Sequence, residues 1–219
     1  MKQSPDVSPS RAGETYGQKT EKRKVRYAMV VDLRRCVGCH SCSVACKTEN
    51  DVPLGVWRSW VKVIEKGNYP EVRRFFLPYL CNNCERPICV TVCPTKASYQ
   101  RADGIVMVNP HACIGCRYCM AACPYDARYV NPLRHIVQKC DFCSHRVDAG
   151  LEPACVETCP AGARIFGDLN DPQSEVARLI ATNPVTVLKQ QMATYPQVYY
   201  IELDMDVSDP LKGSEHKWS

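Results

Sequence analysis

Apolar residues along this chain come in short runs separated by polar, cysteine-rich loops. Tyr27 to Leu33 predicts a short strand, and Ser43 to Asn50 predicts one or two helical turns. Residues 54–64 contain Trp57, Trp60, Val61, Val63 and Ile64 and alternate like a strand towards their end, and Phe75 to Leu80 predicts another strand. Ala97 to Gln100, a turn at Arg101–Gly104 and Ile105 to Val108 predict a hairpin. Beyond Arg164 to Phe166, a helix is expected from Asp171–Pro172 through Ile180, with Pro172 in its first turn, and Val198 to Leu203 predicts a strand. Residues 1–25 are polar and mixed in charge and are expected to form a flexible arm, with a second polar tail from Asp204 to Ser219.

The loops carry the chemistry. Sixteen cysteines fall into four sets of four with none left over. Cys36, Cys39, Cys42 and Cys46 read C-x2-C-x2-C-x3-C, and Cys113, Cys116, Cys119 and Cys123 repeat that spacing. Cys81, Cys84, Cys89 and Cys93 read C-x2-C-x4-C-x3-C, and Cys140, Cys143, Cys155 and Cys159 read C-x2-C-x11-C-x3-C. Cysteines two apart let a tight loop reach three irons of a cubane cluster. Gly38 and Gly115 suit such loops because they carry no Cβ where backbone nears sulfide. Pro94, Pro124 and Pro160 follow three of the four terminal cysteines, as in the bacterial ferredoxin run, whereas Lys47 follows Cys46.

In two-cluster ferredoxins the fourth cysteine of a run binds the other cluster. That rule gives four 4Fe–4S clusters: Cys36, Cys39 and Cys42 with Cys159; Cys140, Cys143 and Cys155 with Cys46; Cys81, Cys84 and Cys89 with Cys123; and Cys113, Cys116 and Cys119 with Cys93. A disulfide scaffold has no reason to place cysteines two apart four times over. Zinc sites normally use two separated pairs rather than a third cysteine at the same step. Each set is complete, so an open catalytic iron is not expected, and the chain has the makings of a one-electron carrier with no catalytic residue of its own.

The expected fold class is α+β, with two pseudo-symmetric, nested, two-cluster ferredoxin-like modules. Residues 74–131 make the inner module from the second and third motifs. Residues 26–73 and 132–170 make the outer module from the first and fourth, and residues 171–219 add a helix, a strand and a tail. With much of the interior inorganic and only 8% aromatic residues, cluster ligation is expected to supply a large share of the folding free energy.

The formal charge of +5 changes meaning once the clusters are counted. Each oxidised cluster with four thiolates carries about −2, so four bring about −8 and leave about −3. The Lys and Arg excess therefore compensates cluster charge rather than marking a nucleic-acid footprint. Arg34, Arg35, Lys47, Arg117, Arg128 and Lys139 stand within a few residues of cysteines, where positive charge raises a cluster's potential. No apolar run approaches the roughly 18 residues of a membrane span, and the mean hydropathy is −0.29. No signal-peptide apolar core is found, and Arg34–Arg35 precede no apolar segment, so export would depend on a partner.

With the motifs placed, the chain resembles the iron–sulfur subunits of the molybdopterin oxidoreductase complexes, the dimethyl sulfoxide reductase superfamily. The stretches that carry the resemblance are R-Y-A-M-V-V-D-L-R-R-C-V-G-C, A-C-K-T-E-N, C-N-N-C-E-R-P-I-C, C-I-G-C-R-Y-C-M-A-A-C-P-Y-D-A-R, K-C-D-F-C-S-H-R, P-A-C-V-E-T-C-P and F-G-D-L-N-D-P. It is most similar to the electron-transfer subunits of polysulfide, thiosulfate and tetrathionate reductases. The resemblance implies a large molybdopterin-type subunit and an integral membrane, quinone-binding subunit as partners, with this chain as the wire. It implies membrane association through those partners, on the periplasmic face by co-export or else on the cytoplasmic face. The competing reading is a free-standing soluble polyferredoxin, against which the motif insertions, the Trp57/Trp60 segment and the polar tails offer contact surface.

His40, His111, His135, His145 and His216 are not needed as ligands and are expected at the surface or beside ligands. Tyr118 and Tyr125 are expected to pack beside clusters.

Overall fold

The computed structural model describes residues 25–204. The arm expected at its start and the tail from residue 205 lie outside those residues. The chain opens with β1 (Tyr27–Asp32), which leads through the first cysteine loop into α1 (Ser41–Glu49). A hairpin of β2 (Ser59–Lys66) and β3 (Arg73–Leu80) delivers the chain to the second motif. Next come α2 (Ile88–Thr91), the hairpin of β4 (Ser98–Gln100) and β5 (Val106–Val108), and α3 (Tyr118–Ala121) on the third motif. A second short hairpin, β6 (Arg128–Val130) with β7 (Val137–Lys139), feeds the fourth motif with α4 (Ser144–Val147) and α5 (Ala154–Glu157). The chain then forms β8 (Arg164–Asp168), α6 (Glu175–Thr182), β9 (Val185–Thr186) and β10 (Val198–Ile201).

Strand β1 explains its own apolar run, because it is central in the four-stranded sheet β8-β1-β10-β9 and buried on both faces. It pairs antiparallel with β8 (Val31 opposite Arg164) and parallel with β10 (Val31 opposite Tyr200). Ala28 and Val30 face one way, with Ile165, Val176 and Ile201, and α6 covers them through Val176, Leu179 and Ile180. Met29 and Val31 face the other way, with Val198, Tyr200, Leu77, Leu80 and several cysteines. The sheet thus separates a small apolar layer from the sulfur-rich interior.

Helix α6 starts later than its proline suggests. The Asp171 carboxylate accepts from Gln173 N at 2.9 Å and holds Pro172 in a turn, while the Ser174 hydroxyl accepts from Ala177 N at 3.1 Å and caps the helix. The β6–β7 hairpin was not expected. It mirrors β4–β5, and its strands are three residues long and open and close on buried charges, Arg128 and Lys139. The helices of the first and fourth motifs, α1 and α5, pack together, as do α2 and α3 of the second and third.

Three strands begin the same way. Cys93, Cys123 and Cys159 are each followed by proline and then by a residue with positive φ three positions on: Lys96 (54°), Asp126 (47°) and Gly162 (55°). A buried alanine follows, Ala97, Ala127 or Ala163, and then the strand β4, β6 or β8. This turn curls the backbone over the terminal sulfur: Ser98 N donates to Cys93 Sγ at 3.4 Å, and Ala163 N to Cys159 Sγ at 3.3 Å.

Candidate cluster sites

All sixteen cysteines are free; seven are buried, seven are half-buried, and Cys39 and Cys116 are exposed. Around the first motif, Cys36, Cys39, Cys42 and Cys159 line one small cavity, closed by Val61, Pro78 and Arg164. Burial pushes the Cys36 thiol up despite the Gly38 N–H, and Cys42 and Cys159 push the same way.

Cys46 lies beside thiols of the fourth motif. Its buried thiol is pushed up to about 12 by burial and by the neighbouring Cys155 and Cys143. The Cys140 thiol is likewise raised by burial, then by Cys46, Cys155, Asp141 and Cys143. Asn50, at the end of α1, ties these together: its Nδ2 donates to Cys46 O at 3.0 Å and lies 3.8 Å from Cys46 Sγ and 3.7 Å from Cys143 Sγ. Arg58 fixes that amide by donating to Asn50 Oδ1 at 2.9 Å, and pairs with Asp141 at 3.4 Å. His145 and Arg146 hold Glu49 at 2.7 and 3.2 Å, binding α1 to α4.

The last cysteines of the second and third motifs likewise neighbour thiols of the other motif, Cys93 beside Cys119 and Cys123 beside Cys81 and Cys89. Burial lifts Cys84 to about 12, with Cys81, Cys89 and Cys123 as neighbouring sulfurs. Burial raises Cys119 too, with Cys89 and Cys93 close by. Cys113 and Cys116 lie on the loop that leads to Cys119. Burial opposes ionisation of Cys93, but the Ser98 N–H and the Thr95 hydroxyl outweigh it, and the thiol sits below its usual value.

Between the second and fourth motifs stands Asn83, buried at a positive φ of 40°. Its Nδ2 donates to Cys81 O at 3.3 Å and Cys140 O at 3.5 Å. Its Oδ1 accepts from Val106 N at 3.1 Å and from Lys139 Nζ at 3.3 Å. Lys139 is itself buried, donating to Val106 O and to Cys140 O.

The loop glycines are closely approached by protein atoms. A Cβ on Gly38 (φ +69°) would lie 2.3 Å from the Phe76 ring, and one on Gly115 (φ +68°) 2.5 Å from His135 O. Other expectations resolve as follows. Arg34 pairs with Asp32 at 2.8 Å, and Arg117 is exposed. Lys47 lies 4.2 Å over Trp57 and donates to Pro53 O and Val56 O. Trp60 stacks on Tyr79, Tyr125 is buried and shares a 2.6 Å hydrogen bond with Thr194, and Tyr118 is 64% exposed. Asn50, Arg58, Asn83 and Arg164 were not read from the sequence as parts of the sites.

Among the described residues no three His, Cys, Asp or Glu side chains converge as on a single metal ion. In the first set four cysteines line one space, a donor set that fits a cubane taking one thiolate per iron. Residues 72–169 match the family described as 4Fe-4S dicluster domain, so the chain is a 4Fe–4S cluster protein.

Its relatives narrow the class. The chain is 48% identical over 192 residues to a tetrathionate reductase subunit of Salmonella typhimurium, covering 86% of this chain and 77% of that one. It is 43% identical to a polysulfide reductase subunit of Wolinella succinogenes, covering 80% and 94%. It is 38% identical to the arsenate respiratory reductase iron-sulfur subunit of a Shewanella species, covering 81% and 96%. The chain belongs to this family of iron–sulfur electron-transfer subunits of reductase complexes.

Proposed function

We propose that this chain is the electron relay of a respiratory oxidoreductase, linking a molybdopterin-type catalytic subunit to a quinone-reactive membrane subunit through four clusters. When bound, the clusters supply one-electron redox capacity that no protein side chain here has. The sixteen cysteines hold them in the four sets given by cross-ligation, within two nested modules. The packing of α1 on α5 and of α2 on α3 supports that nesting.

The same contacts suggest a linear order. Cys42 of the first set neighbours Cys155 of the Cys46/Cys140/Cys143/Cys155 set. Asn83 joins that set to Cys81, and Cys89 neighbours Cys119 of the last set. The observation that carries the reading is at the two ends. Only Cys39 and Cys116 of the sixteen are exposed, and they belong to the first and last sets of this order. Exposed apolar residues stand close in sequence to both: Val37 and Val44 at one end, Ile114 and Tyr118 at the other. A wire needs contact at its ends and insulation between them, and the middle cysteines are buried or half-buried.

No helix among the described residues is long and apolar enough to cross a membrane. We infer membrane association through the partners, on the periplasmic face by co-export with one of them. The experiment is purification of the intact complex with a Cys116→Ala variant alongside. Co-elution with a pterin-bearing chain, and loss of quinol-driven turnover in the variant with docking retained, are expected. A lone soluble monomer, or normal turnover in the variant, would contradict the reading.

A further inference from the structure

We propose that Arg164 and Arg128 are matched guanidinium bridges, each seated between two cluster sites and raising the reduction potential of both. The inference rests on the four-set partition above. Arg164 is five residues beyond Cys159 and opens β8, and Arg128 is five beyond Cys123 and opens β6. Both are buried, at 2% and 4% exposure. Each is anchored by one serine hydroxyl at the start of another strand: Arg164 Nη2 donates to Ser59 Oγ and Arg128 Nη1 to Ser98 Oγ, both at 2.9 Å.

The remaining nitrogens are the telling feature. Nε and Nη1 of Arg164, and Nε and Nη2 of Arg128, are buried and meet no oxygen acceptor; their partners are thiols, Cys155 for Arg164 and Cys89 and Cys119 for Arg128. A guanidinium cannot shed its proton at any ordinary pH, so a buried one left without counter-charge is costly. What surrounds these two is sulfur. Arg164 neighbours Cys155 and Cys42, which belong to different sets, and Arg128 neighbours Cys89 and Cys81 of one set and Cys119 of another. Loaded thiolates supply the missing negative charge, and these N–H groups supply donors to sulfur. A fixed positive charge between two sites lowers the energy of an added electron on either, so both potentials rise and neither site becomes a trap.

The test is redox-titrated electron paramagnetic resonance on the full, loaded chain carrying Arg164→Met or Arg128→Met. Arg164→Met is expected to lower the midpoints of two clusters and leave the other two in place, with Arg128→Met moving the complementary pair. The expected size is at least a tenfold change in the reduced-to-oxidised ratio at fixed potential, about 59 mV for a one-electron couple. Arg164→Lys and Arg128→Lys keep the charge and should stay near the unsubstituted values. Where a methionine variant fails to load, Ser59→Ala or Ser98→Ala frees the guanidinium from its anchor and should shift the same pair by less. Iron-replete variants with all four midpoints unmoved, or moved equally, overturn the inference alone. Fewer than four clusters in the unsubstituted chain overturns the partition and the inference together.

Discussion

Asn50 reaches Cys143 across 93 residues of sequence, placing its amide Nδ2 3.7 Å from the thiol sulfur. The same nitrogen lies 3.8 Å from Cys46 Sγ, so one side chain touches the last cysteine of the first motif and the second cysteine of the fourth. A donor aimed at two sulfurs favours their charged form and favours an added electron nearby. Asn50→Leu removes that donor at similar volume. One cluster midpoint should fall by about 40 mV, the equivalent of about 1 kcal/mol for a one-electron couple. Potentiometric titration of the loaded protein checks this, and the other three midpoints should hold.

Gly115→Ala should damage its site more than Gly38→Ala. Both positions have positive φ, which costs a residue with a Cβ about 1–2 kcal/mol. At Gly38 the obstacle is the Phe76 ring, a half-buried side chain that can turn. At Gly115 it is the His135 backbone carbonyl, which cannot move without displacing the turn between β6 and β7. Iron content per chain should fall by about four in Gly115→Ala and less in Gly38→Ala.

Cluster loading should release protons and become tighter as pH rises from about 7 to 9. Ligation needs thiolates, and in the iron-free fold burial holds Cys46 and Cys84 up at about 12. The iron-free fold responds with the opposite sign. A thiol pKa raised above its unfolded value of about 8.5 leaves stability intact below that pH. The unfolded chain then ionises first, so stability is lost as pH rises from there towards the raised value. Proton release on anaerobic reconstitution, and denaturation of iron-free protein followed against pH, measure the two effects.

Iron removal should also loosen the tertiary packing and leave only a marginal fold, because the interior is shaped around sulfur and holds buried guanidinium N–H groups with no oxygen acceptor. Near-ultraviolet circular dichroism before and after iron removal reads this directly. A native-like spectrum without iron would count against it.

The sequence carried the cluster chemistry because cluster ligands come in tight local spacings, and none of the sixteen cysteines needed tertiary information to be noticed. The β4–β5 hairpin was equally plain, since Gly104 and flanking apolar residues mark its turn. The β6–β7 hairpin was not, because its ends are Arg128 and Lys139, charges that carry no strand signal until burial against thiols and backbone carbonyls explains them. Its signal was nonetheless present in the repeated C-P-x-x-A run at Cys93, Cys123 and Cys159, each leading into a strand. Asn50 and Asn83 gave no such signal. They act on cysteines 93 and 57 residues away, a relation that only the folded chain creates. Helix α6 began late because Ser174, rather than Asp171–Pro172, supplies its cap.

Iron and acid-labile sulfide, counted per chain in anaerobically prepared protein, test the four-cluster interior most directly. About sixteen of each, four per set of cysteines, is the expected result. A colourless protein, or one holding another metal with no labile sulfide, would contradict it.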